Sequence, residues 1–165
     1  MTSRYPAPFA TGGVGVLPLA ELPALTGLEQ LQRIVDGRFP APPMAAHLDF
    51  RLVEVAEGRA RFEGTPRADF YNPLGTIHGG WAATLLDSAL ACAVHTTLAA
   101  GEAYTTLEIK VNMVRPIFDT SGPLTAEGTV VHRGQRTATS EARLVDASGR
   151  IHAHGSTTCL IVPIG

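Results

Sequence analysis

The spacing of hydrophobic positions along this chain changes period as it runs. From Leu28 to Val35 the apolar residues Leu28, Leu31, Ile34 and Val35 recur at helical spacing, and Gly37 stands where that helix would stop. Pro40, Pro42 and Pro43 break the chain before a helical turn at Met44 to His47. Strand signals then take over. DFRLVEVAEG sets Phe50, Leu52, Val53 and Val55 among polar partners, and Glu57-Gly58 reverses the chain into RARFEGTP, a hairpin ended by Pro66. Asp69 to Thr76 is turn-rich, and a long apolar helix is expected from about Ile77 to Ala99, closed by Gly101. Four strand-like runs follow: YTTLEIKVNMV, PLTAEGTVVHRG, RTATSEARLVDA and RIHAHGSTTCLIV. The turns between them, such as Arg133-Gly134-Gln135 and Ala147-Ser148-Gly149, are too short for crossover helices, so the strands are antiparallel neighbours. The expected architecture is α+β, a curved antiparallel sheet of five to six strands wrapped around one long central helix.

Residues 1 to about 27 lie before this pattern and read as a flexible arm, with Gly12, Gly13, Gly15 and several prolines. Its GGVGVLP run lacks the Lys-Ser/Thr ending and the strand-to-helix context of a phosphate loop. Residues 28–165 then make a single domain with short N-terminal helices, in keeping with a chain of 165 residues. Charged residues are only 17% of the chain, which leaves apolar surface for another subunit to cover. The net charge of −2, with Lys and Arg scattered singly, disfavours nucleic-acid binding. Pro6, Pro8, Pro18, Glu21 and Pro23 interrupt any signal peptide or membrane span, so a cytoplasmic protein that does not enter a membrane is expected. Cys92 and Cys159 form neither a disulfide framework nor a metal spacing and read as reduced core residues. His152 and His154 alternate in a strand, which would put both on one face as partly exposed residues; no third ligand is apparent and no metal is expected.

The chemistry concentrates in Tyr71 to Val94. With histidines neutral, Asp87 carries the only formal charge from His78 to Thr97, and it is flanked by Leu85, Leu86, Ala89, Leu90 and Cys92. A buried Asp is rare without a partner, so it serves either structure or chemistry. Ser88 beside it lacks a strand-to-helix nucleophile elbow and makes no hydrolase triad with His78. Gly79 and Gly80 open the helix, where amides lack intrahelical acceptors and the dipole's positive end suits an oxyanion. Asp87 lies nine residues beyond His78, about 13 Å along one helix, and cannot serve its own helix entrance. Two subunits with these helices antiparallel about a two-fold axis would bring each Asp87 to the other's His-Gly-Gly, giving two shared sites per dimer.

Three segments together, ADFYNPLGTIHGGWAATLLDSALACAV, TTLEIKVNMVRP and AEGTVVHRGQRTATSEARL, resemble the hotdog-fold acyl-CoA thioesterases of the phenylacetate-pathway (PaaI-like) group. The resemblance runs from about Ala45 to Val162. It rests on an ordered set: Asn six residues before the His, His-Gly-Gly at the helix start, and Asp nine residues after the His. It implies a hotdog fold and hydrolysis of an acyl-CoA by water, with coenzyme A part of the substrate and no further cofactor. It also implies a homodimer, with a tetramer as a dimer of dimers. The Gly79 amide would polarise the thioester carbonyl, with Gly80 beside it. Asp87 would attack that carbonyl or act as general base for water. Asn72 would hold the lytic water or the carbonyl, although it is also an ordinary turn residue. His78 is a supporting residue. Thr106 matches the hydroxyl that assists the Asp, with Thr105 as the claimant if the turn differs by one residue. Arg133, Gly134 and Arg136 form a hairpin turn that could meet coenzyme A phosphates. Trp81 would line the acyl pocket or pack as a core aromatic at the dimer interface, and Met113 and the N-terminal arm would also shape that pocket. Two further readings stand beside hydrolysis: a hotdog enoyl-CoA hydratase, and a non-catalytic acyl-CoA-binding regulatory module. The acyl group, aromatic or aliphatic, is open.

Overall fold

In a computed structural model the structure describes residues 12–164. Two short helices come first. α1, Gly27–Val35, opens on a capping box: the Thr26 hydroxyl accepts from the Glu29 amide at 3.3 Å, and the Glu29 carboxylate accepts from the Thr26 amide at 2.8 Å. α2 spans Pro43–His47, with Pro43 in its first turn, where the missing N–H is not needed. The stretch before α1, expected as a flexible arm, is pinned where it is described. Gly15 N donates to Ala41 O and Ala41 N to Gly13 O, both at 3.0 Å. Residues 1–11 of that arm lie outside the described residues.

The hairpin forms as expected, with β1 at Phe50–Ala56 and β2 at Arg59–Gly64, joined through Gly58 at φ 71°, a left-handed conformation that favours glycine. The central helix α3 spans Gly79–His95 and is shorter than expected at both ends. Ile77 cannot start it, because its amide donates to Ile117 O at 2.9 Å and it bridges Tyr71 in an extended conformation. At the other end the hydroxyls of Thr96 and Thr97 donate back to Ala93 O and Val94 O, at 2.6 and 2.7 Å, and the helix stops. Gly101, at φ 81°, therefore turns the chain into the next strand rather than ending the helix.

Four strands complete the sheet: β3 at Glu102–Met113, β4 at Leu124–Arg133, β5 at Thr137–Val145 and β6 at Ile151–Pro163. The order is β1-β2-β4-β5-β6-β3 and every pairing is antiparallel, which is the hotdog architecture of a six-stranded sheet with one long helix across it. Leu85, Leu86, Ala89 and Leu90 of α3 are wholly buried against Phe62, Leu124, Ala126, Leu144 and Ala153 of the sheet. β3 forms one edge, and Leu107, Ile109 and Met113 on it are exposed.

The helix lies very close to the sheet at one point. A Cβ on Gly128 of β4 would sit 2.2 Å from the carbonyl oxygen of Ala89, while Ser140 of β5 donates to Leu90 O at 2.8 Å. Because the obstacle is backbone, no rotamer change relieves it. Gly128→Ala is expected to destabilise the fold by about 3 kcal/mol, read as a fall in Tm of roughly 6–12 °C. A melt within about 2 °C of the unaltered chain would show that the helix lifts off the sheet freely.

A bulge resets one face of the sheet. In β6, Val145 pairs with Ile151 and Leu144 with Ala153, so His152 is the extra residue of a bulge. This corrects the expectation of two partly exposed histidines on one face: His154 is exposed, whereas His152 is 4% exposed and lies between the Asp146 carboxylate and the Pro116 carbonyl.

Candidate active site

The entrance to α3 is built by a tight loop. The Asn72 side-chain oxygen accepts from the amides of Leu74 at 2.8 Å and Thr76 at 3.3 Å, and its side-chain nitrogen donates to the Thr76 hydroxyl at 2.8 Å. Asn72 thus holds the loop first, with one amide hydrogen left for anything else. His78 follows, its own amide donating to Phe70 O at 2.7 Å. As N-cap of α3 it accepts the Gly80 amide on Nδ1 at 2.9 Å, which puts the proton of the neutral ring on Nε2. The Trp81 amide is taken by His78 O at 2.9 Å. Gly79 is left: its N–H has no acceptor among the described residues. It borders a cavity of about 350 Å³ that Asn72, Thr76, Ala82, Met113 and Ile117 also line. An unpartnered amide at the positive end of a helix, facing a cavity, can stabilise an oxygen that gains negative charge.

Asp87 lies two turns further on, about 12 Å from Gly79 by helix rise. It is half-buried and has no hydrogen bond or ion pair among the described residues, and burial raises its pKa above the usual carboxylate range. Its charge reaches several neighbours. The Cys92 thiol is pushed up to about 12, by burial first and Asp87 second, and Tyr104 and Cys159 are raised by burial with Asp87 contributing. Both cysteines are free, as expected; Cys159 is buried and Cys92 only partly so.

Strand register puts the two threonines on opposite faces. Thr106 pairs with the fully buried Cys159, whereas Thr105 pairs with Leu160 and is exposed. Paired residues share a face, so Thr106 stands on the helix side of β3 and Thr105 on the other. The Cys159 thiol, raised by burial, is influenced in the lowering direction by Thr106 and in the raising direction by the Asp87 charge.

Other expected residues lie elsewhere. Trp81 is 3% exposed, donates from Nε1 to Leu48 O at 2.8 Å and stacks on Phe70, so it belongs to the core and does not border the Gly79 cavity. The Arg133 guanidinium is committed to Glu102 at 2.8 Å and to the Gly134 carbonyl, and the Gly134 amide closes the hairpin onto Thr137 O at 2.8 Å. Of the two arginines of that turn, Arg136 is the one whose side chain is exposed and without a partner among the described residues. Gly80 is exposed, but its amide is taken by His78. Ser88 donates to Thr84 O at 2.8 Å, as a helix residue rather than a nucleophile. Two contributors were not singled out from sequence: Thr76, which locks Asn72, and the wall from Val114 to Ile117. The Asn-Pro-Leu-Gly-Thr order was a usable signal for the first; the second depends on a contact between distant segments.

The family model described as Thioesterase superfamily matches residues 74–153, which include Gly79, Asp87 and Thr106. A protein of Saccharolobus solfataricus that carries a provisional esterase name is 30% identical over 106 residues, covering 64% of this chain and 74% of that protein. The chain belongs to the thioesterase superfamily.

Solved structures place this thioesterase with the PaaI-like hotdog group. An asparagine-to-aspartate variant of the phenylacetic acid degradation protein PaaI from Thermus thermophilus is 30% identical, with 72% of this chain and 97% of that one covered at a TM-score of 0.65. A phenylacetic acid degradation-related protein from Ralstonia eutropha is 26% identical, with 79% and 98% covered at a TM-score of 0.71. The chain is accordingly a hydrolase that cleaves thioester bonds. Among the described residues no helix of the thioesterase is long and apolar enough to cross a membrane, and no three His, Cys, Asp or Glu side chains gather as metal ligands would. An apolar cavity of about 440 Å³ lies between α1, β1 and β2, with Gly12 and Gly13 at its rim and Cys92 in its wall. The described arm therefore shapes a cavity, but one that neither Gly79 nor Asp87 lines.

Proposed function

We propose that this thioesterase hydrolyses acyl-coenzyme A at two equivalent sites, each shared between two copies of the chain. The observation that carries the proposal is that Asp87 and the Gly79 amide are both unpartnered in the subunit and lie on one helix about 12 Å apart. Neither can serve the other within one chain. A two-fold axis between antiparallel α3 helices pairs each with its complement. The β3 edge favours such an axis, since its exposed Leu107, Ile109 and Met113 and its unpaired backbone groups suit a second β3. Two such dimers would form the tetramer.

In this mechanism the thioester oxygen accepts from Gly79 N–H of one copy, which stabilises the charge that develops as the carbonyl carbon becomes tetrahedral. Asp87 of the other copy acts on that carbon by one of two routes. It bonds to the carbon and expels the coenzyme A thiolate, leaving an anhydride that water opens; or it takes a proton from water, whose oxygen makes the new bond. Label in the Asp87 carboxylate after a single turnover in ¹⁸O water would establish the first route, because it arises only when water opens the anhydride at the Asp87 carbon. Thr106 positions Asp87, His78 fixes the helix entrance, and Asn72 offers its remaining amide hydrogen to the water or the carbonyl. Arg136 is the turn residue free to meet a coenzyme A phosphate. The proposed setting is the cytoplasm.

The hydratase reading needs His78 as a base, but its Nδ1 already accepts from Gly80. Purified chain given a saturated acyl-CoA and an enoyl-CoA separately is expected to release free thiol from the first. Hydration of the enoyl-CoA without thiol release would make it a hydratase, and binding of both without reaction a regulatory module.

A further inference from the structure

Met113 stands at the one free amide of the helix entrance. It is the last residue of β3, and its side chain is about half exposed. Its terminal methyl lies 3.3 Å from where a Cβ on Gly79 would be. The wall that continues from it is tied down at each step. Val114 N and Arg115 N donate to His152 O at 2.9 and 3.1 Å, and the Arg115 guanidinium donates to Ile151 O at 2.7 Å. The buried His152 ring lies 3.2 Å from Pro116 O through Nδ1 and 3.2 Å from the Asp146 carboxylate through Nε2. Asp146 also accepts from Ser148 and Arg150. Ile117 O accepts from Ile77 N at 2.9 Å. The Met113 side chain, unbranched and adaptable, is therefore the movable part of a fixed wall.

A carbonyl oxygen that accepts from Gly79 N–H brings its carbon, and the first atom bonded to that carbon, to within roughly 4 Å of the amide nitrogen. Met113 lines the same cavity as Gly79, with its thioether 4.0 Å from where a Cβ on Gly79 would be, so an acyl group held at that amide meets the Met113 side chain. Beside the polar Asn72, Thr76 and Arg115, the cavity has an apolar side made by Ala82, Val114 and Ile117, and that side, which Met113 extends, suits the hydrocarbon of the acyl group.

We propose that Met113 is a specificity residue that reads the acyl α-carbon, admitting acyl groups with an α-CH₂ and disfavouring those branched at that carbon. The inference rests on the reading that Gly79 holds the thioester oxygen. It is tested by thiol release from butyryl-CoA and its isomer isobutyryl-CoA, which differ only in branching at the α-carbon. The unaltered chain should prefer butyryl-CoA in kcat/KM. Met113→Ala should raise the isobutyryl-to-butyryl ratio about tenfold, and Met113→Phe should lower it. The ratio is the readout because general damage to the fold lowers both substrates alike. Thiol release with the ratio unchanged in both variants overturns the inference and leaves the thioesterase site standing. Failure of the unaltered chain to release thiol from these two substrates and from aromatic and longer acyl-CoAs overturns the site reading, and the role of Met113 with it.

Discussion

Asp87→Asn is expected to lower thioester cleavage by about a thousandfold or more, since the variant keeps the shape of the side chain and removes both its basicity and its nucleophilicity. The carboxylate is kept in readiness at a cost. It is half-buried without a donor among the described residues, and burial raises its pKa above the usual carboxylate value. Two pH effects follow, and their signs differ. The proposed mechanism uses the ionised form, so the acid limb of kcat/KM should fall through that raised pKa and vanish in the variant. For stability, a pKa higher in the folded than in the unfolded chain means a contribution that is complete below the unfolded value and lost as pH rises through the folded one. At neutral pH the unaltered chain has lost it, so Asp87→Asn should melt higher, by on the order of 0.5 kcal/mol once solvent screening of a half-exposed group is allowed for. That corresponds to about 1–2 °C, and the difference should shrink as the solution is made acid. An inactive and less stable variant would point instead to a structural carboxylate, while undiminished cleavage would end the mechanism.

The second large effect is expected from Gly79→Pro. Gly79 is the first residue of α3, a position where proline is favoured because its fixed φ matches the helix and no intrahelical acceptor waits for its N–H. The preceding His78, at φ −59° and ψ 134°, is already in the extended region that a following proline requires. The added ring atoms meet the flexible end of Met113. The substitution thus deletes one hydrogen-bond donor while the helix and its His78 cap persist. The expected loss in kcat is about 10²–10³-fold with little change in Tm. Mixing tests the shared site directly. A dimer of one Gly79→Pro chain and one Asp87→Asn chain has one site with both changes and one with neither. Random reassembly of equal amounts should therefore recover about a quarter of the unaltered activity from two nearly inactive proteins. No recovery, with mixed dimers shown to form, would place each site within a single chain.

Much of this was legible before folding was considered, though not evenly. The helix α1, the β1–β2 hairpin and the antiparallel run from β3 to β6 follow from local signals: spacing of apolar residues, and glycine or proline where the chain must turn. The ends of α3 were misjudged because Ile77 is captured by Ile117 and the last turn by two threonine hydroxyls, neither of which alters the apolar pattern. Trp81 followed two glycines of the candidate site, yet its position one residue on turns it toward Leu48 and Phe70.

What the sequence by itself determined is therefore the inventory and its order along one helix: His78, Gly79 and Asp87, with a spacing that no single helix can close into a site. That much is local, because helix rise converts residue number into distance. Only the tertiary structure decided which groups are free to act. The Gly79 amide is left over because His78 takes those of Gly80 and Trp81; Thr106 rather than Thr105 faces the helix because of β3–β6 register; Arg136 rather than Arg133 is free because Glu102 holds the latter. The first is settled by the local cap that His78 makes once the loop before it is folded, and the other two by contacts between residues far apart in the chain, which packing brings together.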